Sequence, residues 1–410
     1  MQEGSPVALS RGLASDLFLQ TGCQSHKEKG LPDERVYHSS RNGRARKERH
    51  SKALRADTGE YWSKRFSGEG MEADLAAWVK TLPGPVRCVY ESGCTGFELC
   101  RFLREAGVAC DIIAVTTLPR SSRDRRHKND KADAGVILSE IWNPASKVSY
   151  VWVPDRDVEG ARDLVRAADA ASRAVRAKKQ KIQALLLKHG FVWNEKTPSG
   201  RPKGVWTVAY RKWVRSADLG DPLSQRTLGM MLKDLDALES RDREFRKAVA
   251  EETEKPRWKP YVDALCMLKG VAIPTAFLAV SEFGDFSRFR SGRKVSQWIG
   301  CTPAENTTGD SRRQGAITKE GSSHLRRSLV EGNASISRRT SPPKKQRAGH
   351  EVSAEVTRLA READVRLRAR YRHLVENGKH PNTARVAIVG EQIRWIWRIG
   401  LQVRKELAAA

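Results

Sequence analysis

Three things are scarce in this chain: paired cysteines, long apolar runs and acid. The seven cysteines (Cys23, Cys88, Cys94, Cys100, Cys110, Cys266 and Cys301) are odd in number and form no Cys-x-x-Cys pair, which argues against a disulfide framework and against a zinc module. No apolar stretch approaches the roughly 18 residues of a membrane span. Mean hydropathy is −0.59, so composition speaks against a membrane partner. The first residues lack a basic segment followed by an apolar one, so no secretory signal is read and a cytoplasmic, nucleoid-associated location is expected. Acid is the minority charge. With 75 Lys and Arg against 49 Asp and Glu, the 410 residues carry a formal +26. Such a surplus points away from a small acidic ligand and toward a polyanion, of which nucleic acid is the commonest.

What is present divides into five stretches. Residues 1–55 read as an irregular basic tail, with Arg41, Arg44, Arg46, Lys47, Arg49, Lys52 and Arg55 in one run. Residues 56–154 read as α/β. Val86-Arg-Cys-Val-Tyr90 is a short strand that ends in Glu91 and a Gly-containing turn. A helix carrying Phe97, Cys100, Phe102 and Leu103 stops at Gly107, and Asp111-Ile-Ile-Ala-Val115 is the next strand. Strands joined this way run parallel, and ligands sit beyond their carboxyl ends, where Glu91 stands.

Residues 155–255 read as a helical arm. Val158, Ala161, Val165, Ala168, Ser172, Val175, Lys179, Ile182 and Leu186 alternate steps of three and four, a heptad seam on one long helix. At 1.5 Å per residue the rod is about 50 Å long. Its other face is basic (Arg162, Arg166, Arg173, Arg176, Lys178, Lys181), either solvated or facing nucleic acid, and residues 228–249 are its expected antiparallel partner. Residues 256–337 read as helices broken by Gly. Residues 338–410 are a basic linker and two helices, the second apolar enough for a core or a subunit interface.

Two constellations carry chemistry. Glu91 at a strand end, with Asp130 and Asp133 three apart at a helix start, could bring three carboxylates onto Mg²⁺, a hard cation that takes oxygen ligands. Metal ions so held clamp the oxygens of a phosphodiester displacement. Asp-x-x-Asp alone is common on solvated helices, but Arg120, Arg123, Arg125, Arg126, Lys128 and Lys131 surround this pair. The second constellation is Thr307-Thr308-Gly309 followed by Arg312, Arg313, Lys319, Arg326 and Arg327. A hydroxyl beside clustered Arg is a candidate nucleophile for a phosphodiester, because Arg stabilises the charge that develops. A phosphate-binding loop with no covalent role is the simpler reading of the same residues.

At these positions the sequence resembles the IS110-family transposases, the DEDD recombinases. In the acidic part the resemblance lies in Tyr90-Glu-Ser-Gly-Cys-Thr-Gly-Phe97, Lys128-Asn-Asp-Lys-Ala-Asp-Ala134 and Val151-Trp-Val-Pro-Asp155. Later it lies in Leu268-Lys-Gly-Val271, Glu282-Phe-Gly-Asp-Phe-Ser-Arg-Phe289, Trp298-Ile-Gly300, Ile317-Thr-Lys319 and Leu325-Arg-Arg327. Each piece is short; their order and spacing carry the resemblance from about Asp57 to Gly400.

The resemblance implies an α/β plus α architecture. An RNase H-like (RuvC-like) domain would occupy 56–154, a coiled-coil arm 155–255 and an all-α transposase domain 256–337. It implies Mg²⁺-dependent DNA strand cleavage and exchange through a covalent hydroxyl–DNA intermediate. The partners implied are the element's DNA ends and target, a structured guide RNA and further copies of the chain. Glu91, Asp130 and Asp133 match the family's second, third and fourth acidic positions and would be the metal ligands. Thr308 stands where the family has serine. Lys128, Arg312, Arg313, Lys319, Arg326 and Arg327 would contact nucleic acid. One departure concerns the family's first Asp, which lies on an opening strand. The matching stretch here is Arg44-Ala-Arg-Lys-Glu-Arg-His50, so that strand and that ligand are expected to be missing. Two other readings stand beside this one: a degenerate transposase that only binds nucleic acid, and a Mg²⁺ nuclease with no covalent step.

Overall fold

The computed structural model describes residues 34–39, 48–55, 58–93, 96–118, 130–143, 145–305, 314–337 and 344–409; for 34–39, 48, 130–133, 142 and 314 it describes the backbone alone. The chain forms two units, one of Met1–Asp155 with Asp285–Lys294 and one of Arg156–Gly284 with Val295–Ala410.

The first unit is built on a six-stranded mixed sheet, in order β3-β2-β1-β4-β5-β6. Its strands are β1 (Glu34–Ser39), β2 (Glu48–Arg55), β3 (Tyr61–Ser67), β4 (Val86–Glu91), β5 (Ala109–Ile113) and β6 (Tyr150–Val151). The first three form an antiparallel meander, β1, β4 and β5 run parallel, and β6 returns antiparallel. The expectation of an irregular segment through residue 55 with no opening strand therefore fails at 34–39 and 48–55. Those strands read Glu-Arg-Val-Tyr-His-Ser and Glu-Arg-His-Ser-Lys-Ala-Leu-Arg, too polar to show a period of two; β2 pairs with its chain neighbours β1 and β3, and only the pairing of β1 with β4 is nonlocal.

Alternation along β4 divides the core. Cys88 and Tyr90 enter the cluster that also takes Leu75 and Val79 of α1 (Met71–Thr81) and Leu99, Cys100 and Leu103 of α2 (Glu98–Glu105). Val89 enters the opposite cluster with Ile113, Leu118, and Ile137 and Leu138 of α3 (Asp130–Trp142). The sheet is thus covered on both faces, α1 and α2 on one and α3 on the other. Gly107, at φ +80°, ends α2 and lets Val108 N–H return to Leu103 O at 2.8 Å.

The second unit begins with α4 (Arg156–Lys188), which packs antiparallel on α6 (Pro222–Thr253). Every apolar position of the heptad seam on α4 is buried: Val158, Ala161, Val165, Ala168, Val175, Ile182 and Leu186. The opposite face is less free than its composition suggests. Arg162 donates to Ser281 O (2.7 Å), Arg166 pairs with Glu282 (2.7 Å), Arg173 with Asp169 (3.3 Å) and Arg176 with Glu331 (3.7 Å), and Lys178 pairs with Asp234. Between the two long helices lie α5 (Val208–Arg215) and an aromatic cluster of Trp193, Trp206, Tyr210 and Trp213.

Then come α7 (Lys259–Cys266), α8 (Ile273–Phe283), α9 (Gly292–Trp298, of which Val295–Trp298 belong to this unit), the hairpin β7 (Pro303–Glu305) and β8 (Gln314–Ile317), and α10 (Ser323–Gly332). The hairpin corrects the all-α expectation for this stretch. Strands of three and four residues interrupted by Pro and Gly leave no pattern to read. Last come α11 (Ala354–Glu376) and α12 (Pro381–Ala409). The apolar face of α12 is covered within the chain by α7, α10 and α11, so it is core and offers no argument for a subunit interface.

Candidate functional site

In the first unit the site is the carboxyl end of β4. Glu91 is 6% exposed and, by the alternation of the strand, shares the face of Val89, the face on which α3 packs. The backbone around it is tied down. Ser92 N–H donates to Ile113 O (2.7 Å), and Ser92 Oγ accepts from Val115 N–H (3.3 Å). Its neighbour Tyr90 points to the other face. Burial pushes that phenol well above its ordinary 10.0, so it stays a neutral donor to Gly96 O at 3.2 Å.

Asp130 opens α3 and Asp133 lies in its first turn, each four residues before a buried position, Ala134 and Ile137 respectively. Helical periodicity sets both on the sheet-facing stripe of α3. Their side chains, and Lys128 altogether, fall outside the described residues. From β2, Lys52 reaches the same helix: a Cβ placed on Gly135 would lie 3.1 Å from its Nζ. The sequence placed this lysine only in the basic run of residues 41–55.

β1 supplies no fourth carboxylate at this end. Its only acid, Glu34, pairs in register with Val86, at the opposite end of β4 from Glu91, and continuing the register from Tyr37↔Val89 brings Ser39 beside Glu91. The opening strand exists and lacks the aspartate. Carboxylates such as Glu91, Asp130 and Asp133 are oxygen ligands of the kind Mg²⁺ takes. Among the residues whose side chains are described, no group of three His, Cys, Asp or Glu is gathered for a metal.

In the second unit the β7–β8 hairpin fixes the ends of the 306–313 loop by pairing Glu305 with Gln314 and Pro303 with Ile317. Thr308, Arg312 and Arg313 belong to that loop, outside the described residues. The segment after β8 is clamped backbone to backbone. A Cβ on Gly300 would lie 2.2 Å from Glu320 O, and one on Gly321 would lie 2.0 Å from Trp298 O; both glycines have positive φ. Lys319 sits in this clamp at φ +59°, exposed, its N–H bonded to Gly300 O at 3.1 Å. A lysine in the left-handed region is held there by the clamp on both sides.

Arg326 and Arg327, expected to grip phosphate, have partners inside the chain. Arg326 donates to Ile299 O (2.9 Å) and to Glu320 O, bracing the clamp. Arg327 pairs with Asp169 on α4. His324 Nδ1 lies 2.9 Å from the same carboxylate. Burial by itself would raise Asp169, but the hydrogen bonds from His324 and Arg327 outweigh it and hold the carboxyl below its ordinary 3.8. Next to this group, buried Glu282 accepts from Arg166 and from Ser322 Oγ (2.9 Å), and Ser322 also caps α10. Sequence reasoning missed both carboxylate hubs, because their partners are more than a hundred positions apart for Arg166–Glu282 and Asp169–His324.

A mixed α/β unit with buried Glu91 at a strand end, a mostly helical unit with an exposed lysine on a clamped loop, and a +26 charge are features that suit a protein of the nucleic-acid-processing class. The profile of the family described as Transposase IS116/IS110/IS902 matches residues 262–348. A Sinorhizobium fredii protein, y4qE, named as a transposase, is 32% identical over 360 residues, covering 85% of each chain. The transposase for insertion sequence element IS1533 of Leptospira borgpetersenii is 25% identical over 232 residues, 55% of this chain and 64% of its own. The chain belongs to the IS116/IS110/IS902 family of transposases.

Proposed function

We propose that this transposase cuts and exchanges DNA strands at the ends of its insertion sequence and at a target, in a Mg²⁺-dependent reaction with a threonine nucleophile. The observation that carries the reading is the placement of buried Glu91 on the face of β4 covered by α3, whose first turn bears Asp130 and Asp133. That arrangement supports an RNase H-like first unit. Glu91, Asp130 and Asp133 would hold the ion, which when bound supplies positive charge to the scissile phosphate. Thr308 Oγ attacks phosphorus. A bond from phosphorus to the threonine oxygen forms as the bond to the deoxyribose oxygen breaks, and the proton of the threonine leaves to solvent or a nearby base. The covalent link keeps the phosphodiester's energy for rejoining. Lys319, Arg312 and Arg313 contact the phosphates, while Arg326 braces the loop that presents Lys319 and Arg327 ties α10 to Asp169 on α4. A structured RNA from the same element guides target choice, the working form is a homo-oligomer, and the place of action is the nucleoid.

The binding-only reading is favoured by one observation: β1 brings no aspartate beside Glu91. A suicide substrate carrying the element's ends, with its flanking transcript and Mg²⁺, separates the alternatives. The proposal expects a protein–DNA adduct on a denaturing gel that disappears in Thr308→Ala. Cleavage that persists in Thr308→Ala identifies a nuclease with no covalent step. Salt-dependent binding with no cleavage identifies the degenerate form.

A further inference from the structure

The basic linker before α11 has a place in the fold that no motif assigned. Lys344 Nζ donates to Cys266 O (2.7 Å) and Val271 O (2.5 Å), the carbonyls on either side of the turn between α7 and α8. The linker then folds on itself through an Arg347–His350 bridge. Linker and turn together enclose a cleft of ≈ 480 Å³. Its walls are Lys344, Lys345, Arg347 and His350 on one side and Ala272 and Ile273, where α8 begins, on the other.

The charge in this cleft is one-sided. Asp263 is the one acid among the described residues of its wall, and it is already engaged by Lys259 (3.0 Å) and His350 (2.7 Å). Lys345 and Arg347 are exposed and have no ion-pair partner among the described residues. Two of the three N–H donors of Lys344 go to carbonyls, and it has no ion-pair partner among the described residues. The first turn of α8 adds to the field, since its cap residue, Ala272, provides no side-chain acceptor.

We propose that the cleft between the α7–α8 turn and the 344–350 linker is a binding site for a backbone phosphate of a polynucleotide, gripped by Lys345 and Arg347 and backed by Lys344. The inference rests on the nucleic-acid reading above and adds a contact surface separate from the Thr308 loop.

The test measures how affinity of the full chain for a labelled DNA duplex of arbitrary sequence depends on salt. Losing one phosphate contact should flatten the log–log slope by about 0.9 for a duplex and about 0.7 for a single strand. Lys345→Gln/Arg347→Gln is expected to show that loss with an unchanged circular dichroism spectrum. Lys188→Gln on α4 combined with Lys233→Gln on α6, which removes the same charge, is expected to leave the slope alone. An unchanged slope in the linker variant, or an equal change in both variants, overturns the site while leaving the nucleic-acid reading intact. Parent protein that binds no duplex overturns both. Phosphorus NMR with inorganic phosphate alone provides the remaining arm: binding there without any change of duplex slope would make this a free-phosphate site and refute the proposal.

Discussion

Glu239 gives the arm a measurable dependence on acid. Its carboxylate receives a two-pronged contact from Arg211 (Nη1–Oε2 2.9 Å, Nη2–Oε1 2.7 Å) and a further one from Lys179 (2.7 Å), joining α4, α5 and α6. The hydrogen bonds from Arg211, reinforced by Lys179, lower it from 4.5 to about 2. The side chain is 16% exposed, so solvent screens it only in part. Moving a carboxyl by that amount corresponds to about 3 kcal/mol of stability. Because the folded value is the lower one, this stability is fully present above the unfolded value of 4.5 and drains away as pH falls toward 2. At pH 3 about 1.4 kcal/mol of it should remain.

The perturbation is Glu239→Gln, followed by urea unfolding at neutral pH and at successively lower pH. Tryptophan emission reports locally, since the Arg211 guanidinium lies 5.7 Å from the Trp206 ring. The expected result is a gap between parent and variant that is largest at neutral pH and narrows through the acid range. A gap that stays constant from pH 7 to pH 3 would show that shape, not charge, accounts for the effect and would refute the reasoning.

Three further outcomes follow from the geometry. Gly321→Ala should cost at least about 2 kcal/mol, since it adds a left-handed φ to a backbone collision. Gly349→Ala, whose φ is +77° with nothing within 4 Å of the new methyl, should cost only about 1 kcal/mol, and comparing the two urea midpoints checks this. Glu91→Gln should abolish Mg²⁺-dependent cleavage and lower the heat of Mg²⁺ binding in calorimetry while duplex binding persists; undiminished cleavage would remove Glu91 from the site. Ser322→Ala loses both the cap of α10 and the bond to Glu282, and thermal unfolding should show a loss of about 1 kcal/mol or somewhat more.

Local pattern carried much of this protein. The heptad positions on α4 turned up buried because a period near 3.5 must face a partner whatever that partner is. The strand ending at Glu91 and the helix beginning at Asp130 were legible from apolar runs and turn residues next to them. The family resemblance was legible too, in short motifs kept in order, and a relative matched over 85% of the chain bears it out. Charge balance was a matter of counting.

Tertiary structure decided whatever depended on a distant partner. Strand β1 joins the sheet through β4, far later in the chain, and its polar sequence gave no sign of that. The arginines on α4 read as a free basic face, yet most have partners on other elements or along their own helix. Arg327 looked like a phosphate ligand until Asp169, far upstream, was placed beside it. Periodicity reports which way a side chain points along its own element. Whether a charge is free for a ligand or bound within the chain depends on which carboxylate or carbonyl the fold brings within about 3 Å, and that is fixed only when the elements pack.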